Sequence, residues 1–406
     1  MRVAVFIKRT TFHQGFGGFE TQNKVLCEGL AERGYQVTVF TPRWDLDLET
    51  VEEGGVVYKF VKCVYRFLPI PNPFNNWFSR SVKVFGAVHE KDPFDLVVSQ
   101  SSAGFGIIKN KKRFEIPVVS VSHGSIWSEF KTKAASSGWP IYHPKLINDL
   151  GFVLANFLVM QRGFVSGSNK SIAVSSSVKE KIVKETGVST EKVVVINNGL
   201  DPRAFLDRVG DLDPRQKIEA IDYSAVRLIY VGRADVSKGI SVLIKAVNAL
   251  VQEGKNNLSL TVVGDGGALE SLKKEVSGLG LEEKVTFTGR VSHGEAIFKL
   301  RKADIFVLPT LRIEGFPMTI PEAMFAGLPV IASDIGGNSD GIDDGETGFL
   351  VEPGSVDMLK EKIGLLIENA SQRKKMGESA KIKAQNEFSV NTMLDKYEQV
   401  FREVLG

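Results

Sequence analysis

Residues 305–333 read IFVLPTLRIEGFPMTIPEAMFAGLPVIAS. IFVLP and PVIAS are short apolar runs rich in β-branched residues, and the segment between them has a loop and then a helical composition. Pro321 fixes where that helix begins, because only first-turn residues have no intrahelical N–H partner to lose. Pro317 then belongs to the approach loop, and Gly327 stands where the helix should stop. Glu314 falls in the loop and Glu322 near the helix N-terminus, with no other acid in the stretch. A buried carboxylate costs several kcal/mol unless it is paired or hydrogen-bonded.

The same alternation runs through the chain before this stretch. Candidate strands precede the stretch at 3–7 (VAVFI), 36–41 (QVTVFT), 95–100 (DLVVSQ), 117–122 (PVVSVS), 172–176 (IAVSS) and 193–197 (VVVIN). Three more lie between these and the stretch, at 227–232 (RLIYVG), 260–264 (LTVVG) and 285–289 (VTFTG). Most are continuous apolar runs, as expected of parallel strands covered on both faces. Between them lie helical segments such as 19–33, which ends before a capping Gly34. The pattern predicts an α/β fold of doubly wound, Rossmann-like domains. It lapses in the polar stretch 201–224, which reads as an interdomain connection. That leaves an N-terminal domain over 1–200, a C-terminal domain over 225–385 and a closing helical segment in 386–406.

At 406 residues the chain is too long for one typical core and suits two. Apolar residues at 43% and charged residues at 24% fit a globular protein. A net charge of +3 argues against nucleic acid as the main partner, which usually requires a concentrated basic face. Cys27 and Cys63 read as reduced thiols, and the apolar run 151–160 is well short of the ~20 residues that span a bilayer. The expectation is a cytoplasmic protein, at most peripheral at the inner face of a membrane. The segment 65–85 mixes Phe74, Trp77 and Phe78 with Arg66, Arg80 and Lys83, and is where such contact would occur. The reading preferred for it is a Pro-rich loop followed by an ordinary amphipathic helix. KNKKR (109–113) reads as a solvated helix end.

Ligands of open α/β sheets bind beyond the carboxyl ends of the strands, so the loops there carry the information. HQGFGGFE (13–20) leaves the first strand and opens a helix, and its glycines would let N–H groups approach an anion. It is not the dinucleotide fingerprint, because Glu20 stands where the third glycine would fall. GRADVSKG (232–239) brackets a second such loop with Arg233 and Lys238, two cations suited to a diphosphate. The N–H groups of Met318 and Thr319 are a third set of donors. The two DLD triplets, at 45–47 and 211–213, lie away from these loops and are read as coincidence, and no metal is expected. His143 and His293 have no partner that the sequence suggests.

EGFPMTIPEAMFAGLPVIASDIGGNSDGIDDGETGFLV (314–351) resembles the signature of family 4 glycosyltransferases with the GT-B fold. VGRADVSKGI, VVGDGGALESL, VTFTGRVSHGE, VINNGLDPRAF, the first Gly-Gly loop and SHG (122–124) resemble other blocks of that family. The resemblance spans essentially the whole chain and implies two Rossmann-like domains facing across a deep cleft. It also implies retaining transfer of a sugar from a nucleoside-diphosphate sugar to a hydroxyl acceptor, as in glycan biosynthesis. UDP or GDP would be the carrier, and the acceptor a saccharide, a lipid-linked saccharide or a small metabolite. No cofactor beyond that co-substrate and no metal is implied.

By the same resemblance Arg233 and Lys238 would hold the diphosphate and Glu322 the ribose. Glu314, with the backbone of Gly315 and Phe316, would hold the transferred sugar, while Met318 and Thr319 offer N–H groups and backbone near Val291 meets the base. Gly17 and Gly18 would approach the phosphates, and His123 would stand at the reacting centre. The catalytic set is thus His123, Arg233, Lys238 and Glu314. The closing helix would cross back onto the first domain. Two alternatives remain open at this point: a sugar-nucleotide epimerase of the same fold, and a non-catalytic sugar-nucleotide-binding subunit.

Overall fold

The structure, a computed structural model, describes residues 1–13, 17–44, 46–63, 76–125, 127, 150, 161–201 and 225–406. His143, the run 151–160, residues 65–75 of the aromatic-basic segment and nearly all of the 201–224 connection lie outside the described residues. The chain forms two units, Met1–Gly199 with Val390–Gly406 and Leu200–Ser389.

The first unit is built on eight strands: β1 (Arg2–Phe6), β2 (Gln36–Pro42), β3 (Thr50–Glu53), β4 (Val56–Val61), β5 (Leu96–Gln100), β6 (Val118–Ser122), β7 (Lys170–Ala173) and β8 (Val193–Val195). Their order in the sheet is β3-β4-β2-β1-β5-β6-β7-β8. Every pairing is parallel except β3 with β4. Val3, Val5, Leu96, Val98 and Val119 are completely buried, as the uninterrupted apolar runs require. The hairpin β3–β4 was not expected. Around Gly54–Gly55, β3 alternates exposed and half-buried residues and β4 mostly buried and half-buried ones, unlike the apolar runs that mark the others. The strand expected over 172–176 stops at Ala173, because Ser175 accepts the N–H of Val178 at 3.2 Å and caps the next helix.

The second unit has six parallel strands, β9 (Val226–Val231), β10 (Leu258–Val263), β11 (Val285–Gly289), β12 (Ile305–Leu308), β13 (Val330–Ser333) and β14 (Gly348–Val351). They lie in the order β11-β10-β9-β12-β13-β14. β14, only four residues long, also escaped the sequence pattern. In each sheet the winding reverses once, between β1 and β5 in the first unit and between β9 and β12 in the second. These reversals are the switch points where crossover loops diverge and leave room for a ligand.

Helix α1 (Gly18–Glu32) follows β1, and the last helix of the chain, Val390–Leu405, packs on it as part of the first unit. That terminal helix buries Val390, Met393, Leu394, Tyr397, Val400 and Phe401 on one face. Arg33 at the end of α1 pairs with Asp395 at 2.7 Å and Glu398 at 3.2 Å. The chain enters the second unit at Leu200, whose N–H donates to the carbonyl of Phe388 at 2.8 Å just before the chain leaves. Among the described residues no helix is long and apolar enough to cross a membrane.

Candidate active site

The loops after β9 and β12 flank the switch point of the second unit and are laced together by backbone. Leu311 N–H donates to Ser237 O at 2.9 Å, and the Thr310 hydroxyl lies 3.3 Å from the same oxygen. Gly239, at φ +70°, makes this approach possible, since a Cβ there would collide with the carbonyl of Pro309. The result is that Lys238 Nζ lies 2.5 Å from Glu314 Oε1, with both side chains largely buried at 15% and 13% exposure. Thr310 Oγ1 lies 3.3 Å and Arg312 Nε 3.7 Å from the same carboxylate oxygen. Neither residue was singled out in the sequence. The third loop, after β13, holds Glu314 from behind: Gly337 N–H donates to Glu314 O at 3.0 Å, and a side chain on Gly336 (φ +67°) would strike the Glu314 backbone.

Arg233 sits on the same loop as Lys238 but is turned to a different carboxylate. Its side chain is 68% exposed and reaches Asp235 at 2.7 Å. A pair this exposed contributes little to stability and is easily exchanged for another anion. The Arg233 carbonyl accepts the Tyr230 hydroxyl at 2.9 Å. Burial, reinforced by the charge of Glu314, raises the Tyr230 pKa, so the phenol stays a donor.

Glu322 lies in the helix Thr319–Phe325 and is 7% exposed. Its Oε1 is 2.8 Å from Nε2 of His293, which opens the helix His293–Arg301 behind an N-capping Ser292. This corrects the expectation that His293 lacks a partner: the two residues are 29 positions apart, a separation no local pattern reports. Val291, half-buried, lies in the turn just before this helix. Gly315 and Phe316 lie on the Glu314 loop, with the Phe316 ring packed 5.2 Å from Phe388. Met318 caps the helix and Thr319 is its first residue, which puts Pro321 in the first turn where its missing N–H is harmless.

In the first unit, Gly17 caps α1 and Gly18 begins it. The Gly17 N–H is already taken by the Glu20 carboxylate at 2.8 Å, so an anion arriving there has an internal competitor. His123 follows β6. Its Nε2–H donates to Gln100 Oε1 at 2.8 Å, and Phe19 packs edge-on against the ring at 4.5 Å. The residue keeps some solvent contact, but desolvation of the ring lowers its pKa to about 3, so the imidazole is neutral at pH 7. Among the described residues no group of three or more His, Cys, Asp and Glu side chains is gathered as a metal site.

Two domain families account for most of the sequence. Residues 16–204 match Glycosyltransferase Family 4, and residues 214–383 match Glycosyl transferases group 1. An uncharacterised glycosyltransferase of Methanocaldococcus jannaschii is 29% identical over 96% of both chains. The fold is shared with sucrose-phosphate synthase of Thermosynechococcus elongatus, at a TM-score of 0.77, 20% identity and coverage of 99% of this chain and 98% of the other. It is also shared with Anabaena HepE, solved in complex with UDP, at a TM-score of 0.71, 17% identity and coverage of 99% and 100%. The chain is a glycosyltransferase of the GT-B fold class. More particularly, it joins a family 4 domain to a group 1 domain, and the epimerase and non-catalytic readings find no support.

Proposed function

We propose that the enzyme transfers a sugar from a nucleoside-diphosphate sugar to a hydroxyl of a saccharide or lipid-linked acceptor, with retention and without a metal. The observation that carries this reading is the Lys238–Glu314 pair at the switch point of the second unit, 2.5 Å apart. A cation and an acid held together there present opposite charges to a ligand that is anionic at one end and polyhydroxylated at the other. Lys238 and Arg233 would take the diphosphate, and Glu314 the hydroxyls of the sugar. Glu322, fixed by His293, would take the ribose, with the backbone of Gly315, Phe316, Met318 and Thr319 and the turn at Val291 completing the site. Gly17 and Gly18 would meet the phosphates once Glu20 gives way. That HepE of the same fold binds UDP supports UDP as the first nucleotide to try.

In the front-face route, the bond from C1 to the diphosphate oxygen breaks while the acceptor oxygen bonds to C1 on the same face. The acceptor proton passes to the departing phosphate. Negative charge grows on the diphosphate, so cations already fixed there stabilise the transition state more than the ground state. His123, neutral and held by Gln100, would orient the sugar and acceptor by hydrogen bonding instead of carrying a charge.

Thermal stabilisation by UDP, GDP and ADP, with and without Mg²⁺, tests the reading. A nucleotide at ~100 times its dissociation constant should add about 2.7 kcal/mol to native stability. The expected result is a shift with one nucleotide, indifferent to Mg²⁺ and lost in Lys238→Ala. No shift with any nucleotide would sink the donor site.

A further inference from the structure

The first unit has its own switch point, between β1 and β5, and Lys8 and Ser102 there take no part in the reaction just described. Lys8 follows β1 and Ser102 follows β5, and Lys8 Nζ lies 3.0 Å from Ser102 Oγ. The only other partner of the ammonium among the described residues is the ring of Phe78, 5.8 Å away. Burial lowers the Lys8 pKa, and no carboxylate among the described residues offsets that effect. Among the described residues this half-buried ammonium meets only one hydroxyl and the face of one ring, an uncompensated charge of a kind that proteins rarely keep without a reason.

Two neighbours on the same edge are equally unfinished. Gln100, the last residue of β5, is 1% exposed and spends its oxygen on His123, while its amide nitrogen has no hydrogen-bond partner among the described residues. A buried amide left in that state costs about 1–3 kcal/mol. Ser101, between Gln100 and Ser102, holds φ at +51°, a left-handed conformation that serine seldom adopts. Among the described residues, this edge thus combines a cation without a counter-ion, a buried donor without an acceptor and a strained backbone. It adjoins the β6 end that carries His123.

We propose that Lys8 and Ser102, beside Gln100, form a binding site for an oxyanion, a phosphate ester or carboxylate carried by the sugar acceptor. The acceptor assignment rests on the proposed reaction; the anion site rests on Lys8 and its neighbours. Lys8 supplies charge-assisted N–H donors, and Ser102, which accepts from Lys8, keeps its own O–H free to donate. The class of acceptor favoured is therefore a hydroxyl compound with a small anionic group, in preference to a neutral glycan.

Competitive amine labelling of the whole chain, resolved residue by residue by mass spectrometry, tests this. UDP is included so that the cations of the second unit are occupied. At ten times its dissociation constant, inorganic phosphate or acetate should slow labelling of Lys8 about tenfold, with chloride at equal ionic strength having no effect. Protection by phosphate alone identifies a phosphate ester, and protection by acetate identifies a carboxylate. Labelling indifferent to both, or slowed equally by chloride, overturns the proposal. A second readout does not depend on Lys8 being reachable by the reagent. The oxyanion-dependent rise in Tm should persist in Lys8→Arg and vanish in Lys8→Met, and equal rises in Lys8→Met and wild type overturn it. Failure of UDP to stabilise the wild type would count against the donor reading alone.

Discussion

The two switch points of the molecule are built on the same plan and finished differently. At the switch point of the second unit the two buried carboxylates each have a cationic or titratable partner within hydrogen-bond distance: Glu314 with Lys238 at 2.5 Å and Glu322 with His293 at 2.8 Å. In the first unit the corresponding edge pairs a neutral His123 with an amide and leaves Lys8 with a hydroxyl. A site finished with internal pairs can stay folded while empty and must exchange partners to bind. A site left unfinished gains its missing partner only when occupied. The first arrangement suits a large, strongly charged ligand that can displace internal contacts, and the second suits a smaller ligand bringing one charge.

The sharpest way to separate the units is to remove the terminal helix. Deleting 390–406 strips α1 of a face formed by Met393, Leu394, Tyr397, Val400 and Phe401. At ~1.5–3 kcal/mol for each buried large side chain, the loss matches the entire stability of an ordinary domain. The first unit should therefore unfold while Leu200–Ser389 still melts cooperatively, seen as one calorimetric transition lost and one kept. Survival of both transitions would mean that the helix contributes little.

Lys238→Ala comes next. It removes the cation aimed at the leaving group and leaves Glu314 half-buried without its nearest partner. Turnover should fall on the order of 10²–10³-fold, as for loss of one fixed transition-state donor. Nucleotide release in the presence of acceptor measures it, and a rise in KM with kcat unchanged would show that Lys238 binds without catalysing. Glu322→Gln should act on binding instead, weakening nucleotide affinity roughly 10-fold or more with kcat nearly unchanged, the cost of charged hydrogen bonds to a ribose. Affinities for UDP and 2′-deoxy-UDP should also converge in that variant; an unchanged ratio would remove Glu322 from the ribose.

The smallest effect concerns His123. Its folded pKa is lowered to about 3 against 6.5 unfolded, so between those values the unfolded chain binds more protons. Stability is fully present above pH 6.5 and is lost as pH falls toward 3, by at most ~1.4 kcal/mol per unit and less for a ring still touching solvent. Urea unfolding at pH 7 and pH 5 should show a loss that His123→Gln reduces. An identical loss in the variant would place the effect elsewhere.

Strands buried on both faces were legible in the sequence because burial on both sides leaves a continuous apolar run. The β3–β4 hairpin and β14 were missed because strands with half-buried polar positions break the apolar run and a four-residue strand has too little pattern to register. Lys238, Glu314 and Glu322 stood out because they sit at the strand-to-helix junctions of distinctive segments. The contacts of His293 with Glu322 and of Arg312 and Thr310 with Glu314 did not, since they depend on side-chain directions that spacing does not encode. Lys8 was hidden for a simpler reason. One lysine after a strand looks like any solvated charge until its burial is seen, with no counter-ion among the described residues.

The hydrogen bond from Leu200 to Phe388 gives the chain's two passages between units a common doorway. Seen that way, the second unit is a cassette spliced into the first, with its ends adjoining through this 2.8 Å hydrogen bond. A cassette with neighbouring ends can be replaced by another of different content while β8 and the terminal helix keep their places. Donor preference and acceptor preference could then be recombined as separate inheritable parts, with only two seams to repair.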